Sequence, residues 1–178
     1  MTLTYITGGV RSGKSEFAER LAASGAGSVL YVAFGVAADE EMKSRIDLHK
    51  KRRPNDWDVL EKPKELIGYE TVYQQYDKIL VDCLSTWIAN QCMDIPEHEF
   101  KNERQKARII HEAARWLEQV RKLKQHVIVV SDEVGLGGVA ISPLGRFFQD
   151  VLGKVNQLAA QAADEAYAVL SGLPVRMK

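Results

Sequence analysis

The sequence predicts a single α/β domain in which helices cover both faces of a mostly parallel sheet. Short apolar runs of strand length alternate along the chain with longer stretches of helical period. This alternation is typical of parallel sheets built from strand-helix-strand units. The chain has 178 residues, of which 46% are hydrophobic and 27% charged. Such a length and composition suit one globular domain that spans residues 1–178.

The first third of the chain is predicted to contain three strands and two helices. Leu3–Thr7 is apolar and β-branched and ends in glycines, which indicates a buried strand. The pattern becomes helical from Lys14 to about Ala23, and Val29–Ala33 follows as a second strand. A charged stretch from Asp39 to about Lys51 is compatible with a helix. Pro54 requires that helix to end shortly before it. Trp57–Leu60 is predicted as a short strand closed by the next proline.

The rest of the chain shows the same alternation of short apolar runs and stretches of helical period. Lys78–Asp82 is the clearest strand, an apolar run with a carboxylate at its carboxyl end. Phe100–Lys124 is the clearest helix, because apolar residues recur every three or four positions. Its predicted buried stripe consists of Ala107, Ile110, Ala114, Leu117 and Val120. The other predicted elements are helices over Leu84–Cys92 and Pro143–Ala163 and strands over His126–Val130, Ala166–Leu170 and Val175–Met177.

Composition argues against several classes of partner and location. The 24 basic and 24 acidic side chains cancel, so no overall field favours nucleic acid or an anionic membrane. Cys83 and Cys92 are too few for a disulfide framework and lack metal-ligand spacing, so reduced, buried thiols are expected. No apolar run approaches the roughly 20 residues of a membrane span. We therefore expect a cytoplasmic protein with no membrane span and no nucleic-acid partner.

The glycine-rich segment after the first strand is the strongest functional motif. It matches G-x-x-x-x-G-K-[ST] in full, between a predicted strand and a predicted helix. In such a loop backbone N–H groups approach phosphate oxygens closely, and the helix adds the positive end of its dipole. Lys14 supplies a cation to the β- and γ-phosphates, and Ser15 offers a hydroxyl to Mg²⁺. The predicted phosphate-binding residues are Gly8, Gly9, Val10, Arg11, Ser12, Gly13, Lys14 and Ser15.

Carboxylates follow two other predicted strands. Asp82 ends one, and Asp132 and Glu133 follow another. Because parallel strands present their carboxyl ends at one edge of the sheet, these groups are expected near the glycine loop. Asp82 suits a magnesium carboxylate, and Glu133 is favoured over Asp132 for the same role. A carboxylate at a strand end is also often only a turn former or helix cap.

His49 is compatible with two interpretations. On a helix it would share a face with Met42 and Ile46, which favours a packed or half-exposed side chain. Its neighbours are strongly cationic, and such a setting lowers the pKa of a histidine and keeps it neutral, as a nucleophile must be. The basic run could instead hold phosphates, form a solvated face or form a small nucleic-acid patch, although the lack of interleaved aromatic residues counts against the last. It consists of Arg45, Lys50, Lys51, Arg52 and Arg53.

Taken together, the motifs resemble those of the bifunctional adenosylcobinamide kinase and adenosylcobinamide-phosphate guanylyltransferase family of cobalamin biosynthesis. The resemblance covers nearly the whole chain. Besides the glycine loop, it rests on the segments Arg45–Arg53 with Pro54, Asp82–Trp87 with Asn90, Glu133–Gly137 and Arg146–Asp150.

This resemblance implies a RecA-like P-loop NTPase fold, a homotrimer, and two reactions. The first phosphorylates adenosylcobinamide with ATP or GTP. The second transfers GMP from GTP to adenosylcobinamide phosphate through a covalent histidine-GMP intermediate, which the motif assigns to His49. The resemblance also implies Mg²⁺ at Ser15, Asp82 and Glu133. It extends the nucleotide-binding set to Ala33, Phe34, Gly35, Lys50, Lys51, Arg52, Arg53, Glu61 and Asp82.

Two other functions stay open at this point. A monofunctional small-molecule P-loop kinase would leave His49 idle. A RecA-like module that couples ATP to movement of nucleic acid or protein would need a basic face, and the neutral charge beyond residues 45–53 counts against it.

Overall fold

Seven strands form one sheet in the computed structural model, which describes residues 2–35, 40, 54–62 and 64–178. The strands are β1 (Thr2–Gly8), β2 (Val29–Ala33), β3 (Asp58–Glu61), β4 (Lys78–Asp82), β5 (His126–Asp132), β6 (Glu165–Leu170) and β7 (Leu173–Arg176). The helices are α1 (Lys14–Ala23), α2 (Glu70–Tyr73), α3 (Leu84–Met93), α4 (Glu103–Val120) and α5 (Pro143–Ala162), with 3₁₀ turns at Glu97–Glu99 and Gly135–Gly137.

The strand order is β3-β2-β4-β5-β1-β6-β7. The first six of these strands pair in parallel, and β7 closes the edge as the antiparallel partner of β6. One strand, β5, separates β1, which leads into the glycine loop, from β4, which ends in Asp82. The mostly parallel α/β sheet predicted from the sequence is therefore confirmed.

Helices lie on both faces of the sheet. One face carries the larger apolar core, where α3, α4 and α5 contribute the fully buried side chains Trp87, Ile109 and Phe147. The other face carries a smaller core with Ala18 and Ala22 of α1. No helix in the part of the chain that the structure describes is long and apolar enough to cross a membrane.

Several predicted boundaries shift for identifiable reasons. The long helix begins at Glu103 rather than Phe100, because the Asn102 side chain accepts a hydrogen bond from Arg104 N and caps it there. Strand β5 runs on to Asp132, since that residue pairs with Gly8 of β1. The predicted strand at Val175–Met177 is observed as Leu173–Arg176.

Two further details differ from the sequence prediction. The predicted stripe of α4 is partly wrong: the buried residues are Ile109, Ala113, Trp116, Leu117 and Val120, whereas Ala107 is exposed. A rotated stripe results because Trp116 is the largest apolar side chain of the helix and lies in the core. The short helix Glu70–Tyr73 has no counterpart in the prediction. The helix predicted over residues 39–51 lies outside the described residues, apart from residue 40.

Candidate active site

The glycine loop connects β1 to α1 in a conformation that only small residues permit. A side chain at Gly8 would meet the Val169 carbonyl oxygen at 2.5 Å. Gly13 has a φ of 90°, in the left-handed region that favours glycine. The loop is also held from outside, because the N–H of Gly172 in the β6–β7 turn donates to the Ser12 carbonyl at 2.8 Å. The backbone is thus fixed before any ligand arrives.

Lys14 is the first residue of α1 and is buried, although it is charged. Its Nζ lies 2.5 Å from Asp132 Oδ1 and donates to the Gly9 carbonyl at 3.3 Å. A lysine that is desolvated in this way requires an anionic partner. Asp132 supplies that partner here.

Ser15 and Asp82 meet on the other side of the loop. Ser15 Oγ donates to Asp82 Oδ1 at 3.4 Å, and Tyr31 Oη donates to Asp82 Oδ2 at 2.9 Å. Strand register accounts for the contact with Tyr31, because β2 lies beside β4 and Ala33 pairs with Asp82. Both oxygens of the Asp82 carboxylate therefore have a hydroxyl donor, and the group is held in a defined orientation.

Asp132 is fixed from its other side by α3. Ser85 Oγ donates to Asp132 Oδ2 at 2.6 Å and lies 2.9 Å from Cys83 Sγ. Desolvation, together with the charges of Asp82 and Asp132, raises the pKa of the Cys83 thiol to about 11. The thiol therefore stays neutral and acts here as a packing and hydrogen-bonding group, not as a nucleophile.

Glu133 lies next to Asp132 in sequence but takes a different direction. Its Oε1 accepts from Gly135 N at 2.7 Å, and its backbone N–H donates to the Gly8 carbonyl at 3.0 Å. The side chain thus stabilises the turn after β5. The magnesium role predicted for Glu133 stays a prediction.

The other predicted nucleotide contacts cluster at the carboxyl end of β2. Ala33 pairs with both Glu61 and Asp82. Phe34 is buried, and its carbonyl accepts from Asn90 Nδ2 at 2.7 Å. Gly35 and Glu61 are exposed beside it. These residues lie on the same edge of the sheet as the glycine loop, as the topology requires.

The remaining predicted site residues lie outside the described residues. They are the proposed nucleophile His49 and the basic side chains Lys50, Lys51, Arg52 and Arg53. Among the described residues, no group of three or more His, Cys, Asp or Glu side chains is arranged to hold a metal ion.

Three contributors were missed by the sequence reasoning. Asp132 was given only a second-choice magnesium role, and its pairing with Lys14 depends on a strand register that no local pattern shows. Tyr31 lies inside the apolar strand Val29–Ala33, and nothing in that local pattern indicates a contact with Asp82. Ser85 is the second residue of α3, and its contact with Asp132 spans 47 positions. The one available signal was the polar run Ser131–Glu133 at a strand end.

The geometry defines the class of protein first. A glycine loop between strand and helix, with a buried lysine, a serine hydroxyl and an adjacent strand-end aspartate, is the site of a P-loop phosphotransferase.

The family follows from comparison with known proteins. Residues 4–177 match the family model described as cobinamide kinase / cobinamide phosphate guanyltransferase. The chain belongs to this family, and it is accordingly an enzyme of that kinase and guanyltransferase pair.

Named relatives agree with this assignment. The chain is 36% identical over 174 residues to the bifunctional adenosylcobalamin biosynthesis protein CobP of Pseudomonas aeruginosa, covering 97% of this chain and 95% of that protein. It is 33% identical to the bifunctional adenosylcobalamin biosynthesis protein CobU of Escherichia coli and 36% identical to that of Salmonella typhimurium, each over 99% of both chains. The resemblance drawn from the motifs is thereby confirmed.

Among solved structures, a KaiC-like protein of Pyrococcus horikoshii shares a TM-score of 0.44 and 13% identity. The match covers 94% of this chain and 70% of that one. Nothing about function follows from so distant a likeness.

Proposed function

We propose that the glycine loop binds the triphosphate of ATP or GTP and that both reactions of the family use this site. The observation that carries the proposal is the placement of Lys14 and Ser15 at the start of α1, opposite Asp132 and Asp82. Backbone N–H groups of the loop would bind phosphate oxygens, and Lys14 would stabilise the charge that develops during transfer.

The donor set beside the loop fits Mg²⁺. The Ser15 hydroxyl and the Asp82 carboxylate are hard oxygen ligands only 3.4 Å apart. Mg²⁺ is commonly held by one or two protein oxygens, with water and phosphate oxygens completing its shell. Ser15 and Asp82 would therefore hold the ion, which neutralises phosphate charge when bound. The Tyr31 hydroxyl keeps the Asp82 carboxylate oriented for this role.

The first reaction is a phosphoryl transfer. The hydroxyl oxygen of adenosylcobinamide attacks the γ-phosphorus, a new P–O bond forms, and the bond to the bridging oxygen breaks. The nucleoside diphosphate leaves with that electron pair, and the hydroxyl proton passes to solvent. This chain contributes the fixed loop and the buried lysine, which place the γ-phosphoryl group for in-line attack.

The second reaction is assigned to His49. A neutral imidazole nitrogen attacks the α-phosphorus of GTP, an N–P bond forms, and pyrophosphate leaves. An oxygen of adenosylcobinamide phosphate then attacks the same phosphorus and releases the histidine, giving adenosylcobinamide-GDP. The cationic segment from Arg45 to Arg53 favours a neutral histidine and would stabilise the negative charge that develops on the α-phosphate.

The assignment is tested with GTP labelled at the α-phosphate. The label should stay on the protein in a bond that is acid-labile and alkali-stable, as expected for a phosphoramidate. His49→Ala should abolish both the adduct and guanylyl transfer, because Leu48 cannot replace the imidazole. Phosphorylation should persist, so the variant accumulates adenosylcobinamide phosphate. Undiminished guanylyl transfer in the variant would contradict the assignment.

Lys14→Ala serves as the complementary variant. Loss of one preorganised electrostatic contact at a transition state typically costs roughly 3–4 kcal/mol, or about 10²–10³-fold in rate. Both reactions should slow if they share the loop. Normal turnover in either reaction would show that it uses a different site.

A monofunctional kinase remains the second candidate. The observation that favours it is that Lys14, Ser15 and Asp82, all among the described residues, lie together at the glycine loop as phosphoryl transfer would require. The α-label experiment separates the two candidates, because a kinase alone leaves no label on the protein.

We also propose a homotrimer in the cytoplasm. The support is the family membership, together with the need for more surface around a large corrinoid than one small domain offers.

A further inference from the structure

Asp132 contacts the glycine-loop lysine in a way that the proposed chemistry does not require. Its Oδ1 lies 2.5 Å from Lys14 Nζ, and the two side chains are only 24% and 10% exposed. A triphosphate bound in the loop needs the same ammonium group. The carboxylate and the incoming phosphate therefore compete for one cation.

The carboxylate is anchored independently of the lysine. Ser85 Oγ donates to Asp132 Oδ2 at 2.6 Å. The Asp132 backbone carbonyl accepts from Asn156 Nδ2 at 2.9 Å, and Asn156 is held in turn by the buried Ser131 hydroxyl at 2.7 Å. Lys14 has a flexible four-carbon stem, whereas Asp132 is fixed at both side chain and backbone. The lysine can move away, and the carboxylate stays.

The neighbouring carboxylates are engaged elsewhere. Asp82 accepts from Ser15 and Tyr31, and Glu133 accepts from Gly135 N. Within the described part of the chain, Asp132 is the carboxylate recorded in an ion pair with Lys14.

We propose that Asp132 competes with phosphate oxygens for the ammonium group of Lys14, so that each triphosphate must displace the carboxylate. Asp132 is thus a positioning residue that acts through Lys14. The inference rests on the proposed use of the loop for nucleotide. It also gives the carboxylate a role after transfer: once the γ-phosphoryl group has left, Asp132 recaptures the lysine and favours release of the diphosphate.

The test is equilibrium binding of ATP and of GTP by calorimetry in EDTA, which removes divalent cations from the comparison. Asp132→Asn removes the charge but keeps an oxygen for Ser85. A hydrogen bond to a charged group contributes about 1.5–3 kcal/mol. Removal of the competing Asp132 carboxylate should therefore tighten nucleotide binding by about ten-fold or more. A purely structural role for Asp132 would weaken binding or leave it unchanged, and either result would overturn the proposal.

A second comparison shows whether the effect passes through the lysine. In a Lys14→Ala background, Asp132→Asn should tighten binding much less, because the contested cation is gone. Equal tightening in both backgrounds would mean simple charge repulsion and would refute the proposal. Asp94→Asn is the matched control, since it removes the carboxylate of an exposed lysine pair with Lys64 and should leave binding unaltered.

Ser85→Ala provides a variant that keeps the ion pair and loosens its anchor. It should tighten nucleotide binding by about two- to three-fold, less than Asp132→Asn, because a carboxylate without this donor can rotate away from Lys14 and competes less well with phosphate. If Asp132→Asn fails to fold, Ser85→Ala decides the matter, and unchanged or weaker binding counts against the proposal. Absence of nucleotide binding in the wild-type protein would refute the proposed function itself, whereas wild-type binding without tightening in the variants would refute this inference alone.

Discussion

Two adjacent glycines at the end of β1 should respond in opposite ways to the same substitution. An alanine Cβ at Gly8 would lie 2.5 Å from the Val169 carbonyl oxygen and 2.5 Å from Ser12 Oγ. A Cβ at Gly9 would meet nothing within 4 Å. The Ser12 hydroxyl can rotate, but the Val169 carbonyl belongs to β6, which pairs directly with β1. Relief of the clash at Gly8 therefore requires two strands to separate.

The magnitude follows from the size of that clash. Overpacking of a tight site typically costs about 1–3 kcal/mol. For a chain of this size each kcal/mol lowers the melting temperature by about 2–4 °C, so Gly8→Ala should lower it by about 2–12 °C. Gly9→Ala should change the free energy of unfolding by less than about 0.5 kcal/mol.

The assay is thermal unfolding followed by circular dichroism, with urea denaturation as a second measure. Gly8→Ala should also raise the KM for nucleotide, because displacement of β1 moves the first residues of the loop. Equal melting temperatures for the two variants would refute this reasoning. A larger loss at Gly9 than at Gly8 would refute it as well.

Three further predictions concern the metal site, the thiols and the assembly. Tyr31→Phe removes the donor to Asp82 Oδ2, so the Mg²⁺ concentration for half-maximal kinase rate should rise about ten-fold; an unchanged value would separate the tyrosine from the metal carboxylate. Burial raises the pKa of the Cys83 and Cys92 thiols from 9.0 to about 11, so native protein should resist alkylation at pH 8 and react once unfolded. Because the unfolded chain ionises first, the free energy of unfolding should fall as the pH rises from 9.0 towards about 11; rapid native labelling would contradict the burial. Light scattering should give about three times the chain mass of 19.9 kDa, and a stable, active monomer would contradict the trimer.

Much of the fold could be predicted because its local and global signals agree. Strand β4 is a short apolar run bounded by polar residues, and its observed limits, Lys78–Asp82, are the predicted ones. Helix α1 likewise begins at Lys14 and ends at Ala23, as its period predicts. The stripe of α4 could not be predicted, because several apolar side chains compete for burial and only packing against α5 selects among them.

The site was predictable only in part. The glycine loop is contiguous in sequence, so Lys14 and Ser15 could be assigned from their spacing alone. Contacts between strands depend on register, which the sequence of one strand does not specify. The Tyr31–Asp82 bond therefore could not be predicted, nor could the choice of Asp132 over Glu133 as the partner of Lys14.

The position of β1 in the sheet has a consequence for how the protein is made. Its two neighbours are β5 and β6. The hydrogen bond between Thr4 and His126 joins residues 122 positions apart, and the bond between Leu3 and Asp164 joins residues 161 positions apart. Strand β1 is synthesised before both of its partners, which leave the ribosome only after the residues between them have been made. The phosphate loop therefore cannot take its final shape on a nascent chain that stops before β6. Such distant pairings also slow folding, because the entropy cost of closing the long intervening loop is incurred before the strand contacts form. We expect nucleotide to bind a growing chain only once β6 and the Gly172 turn have been made, so strands that are synthesised later complete a site that begins in β1.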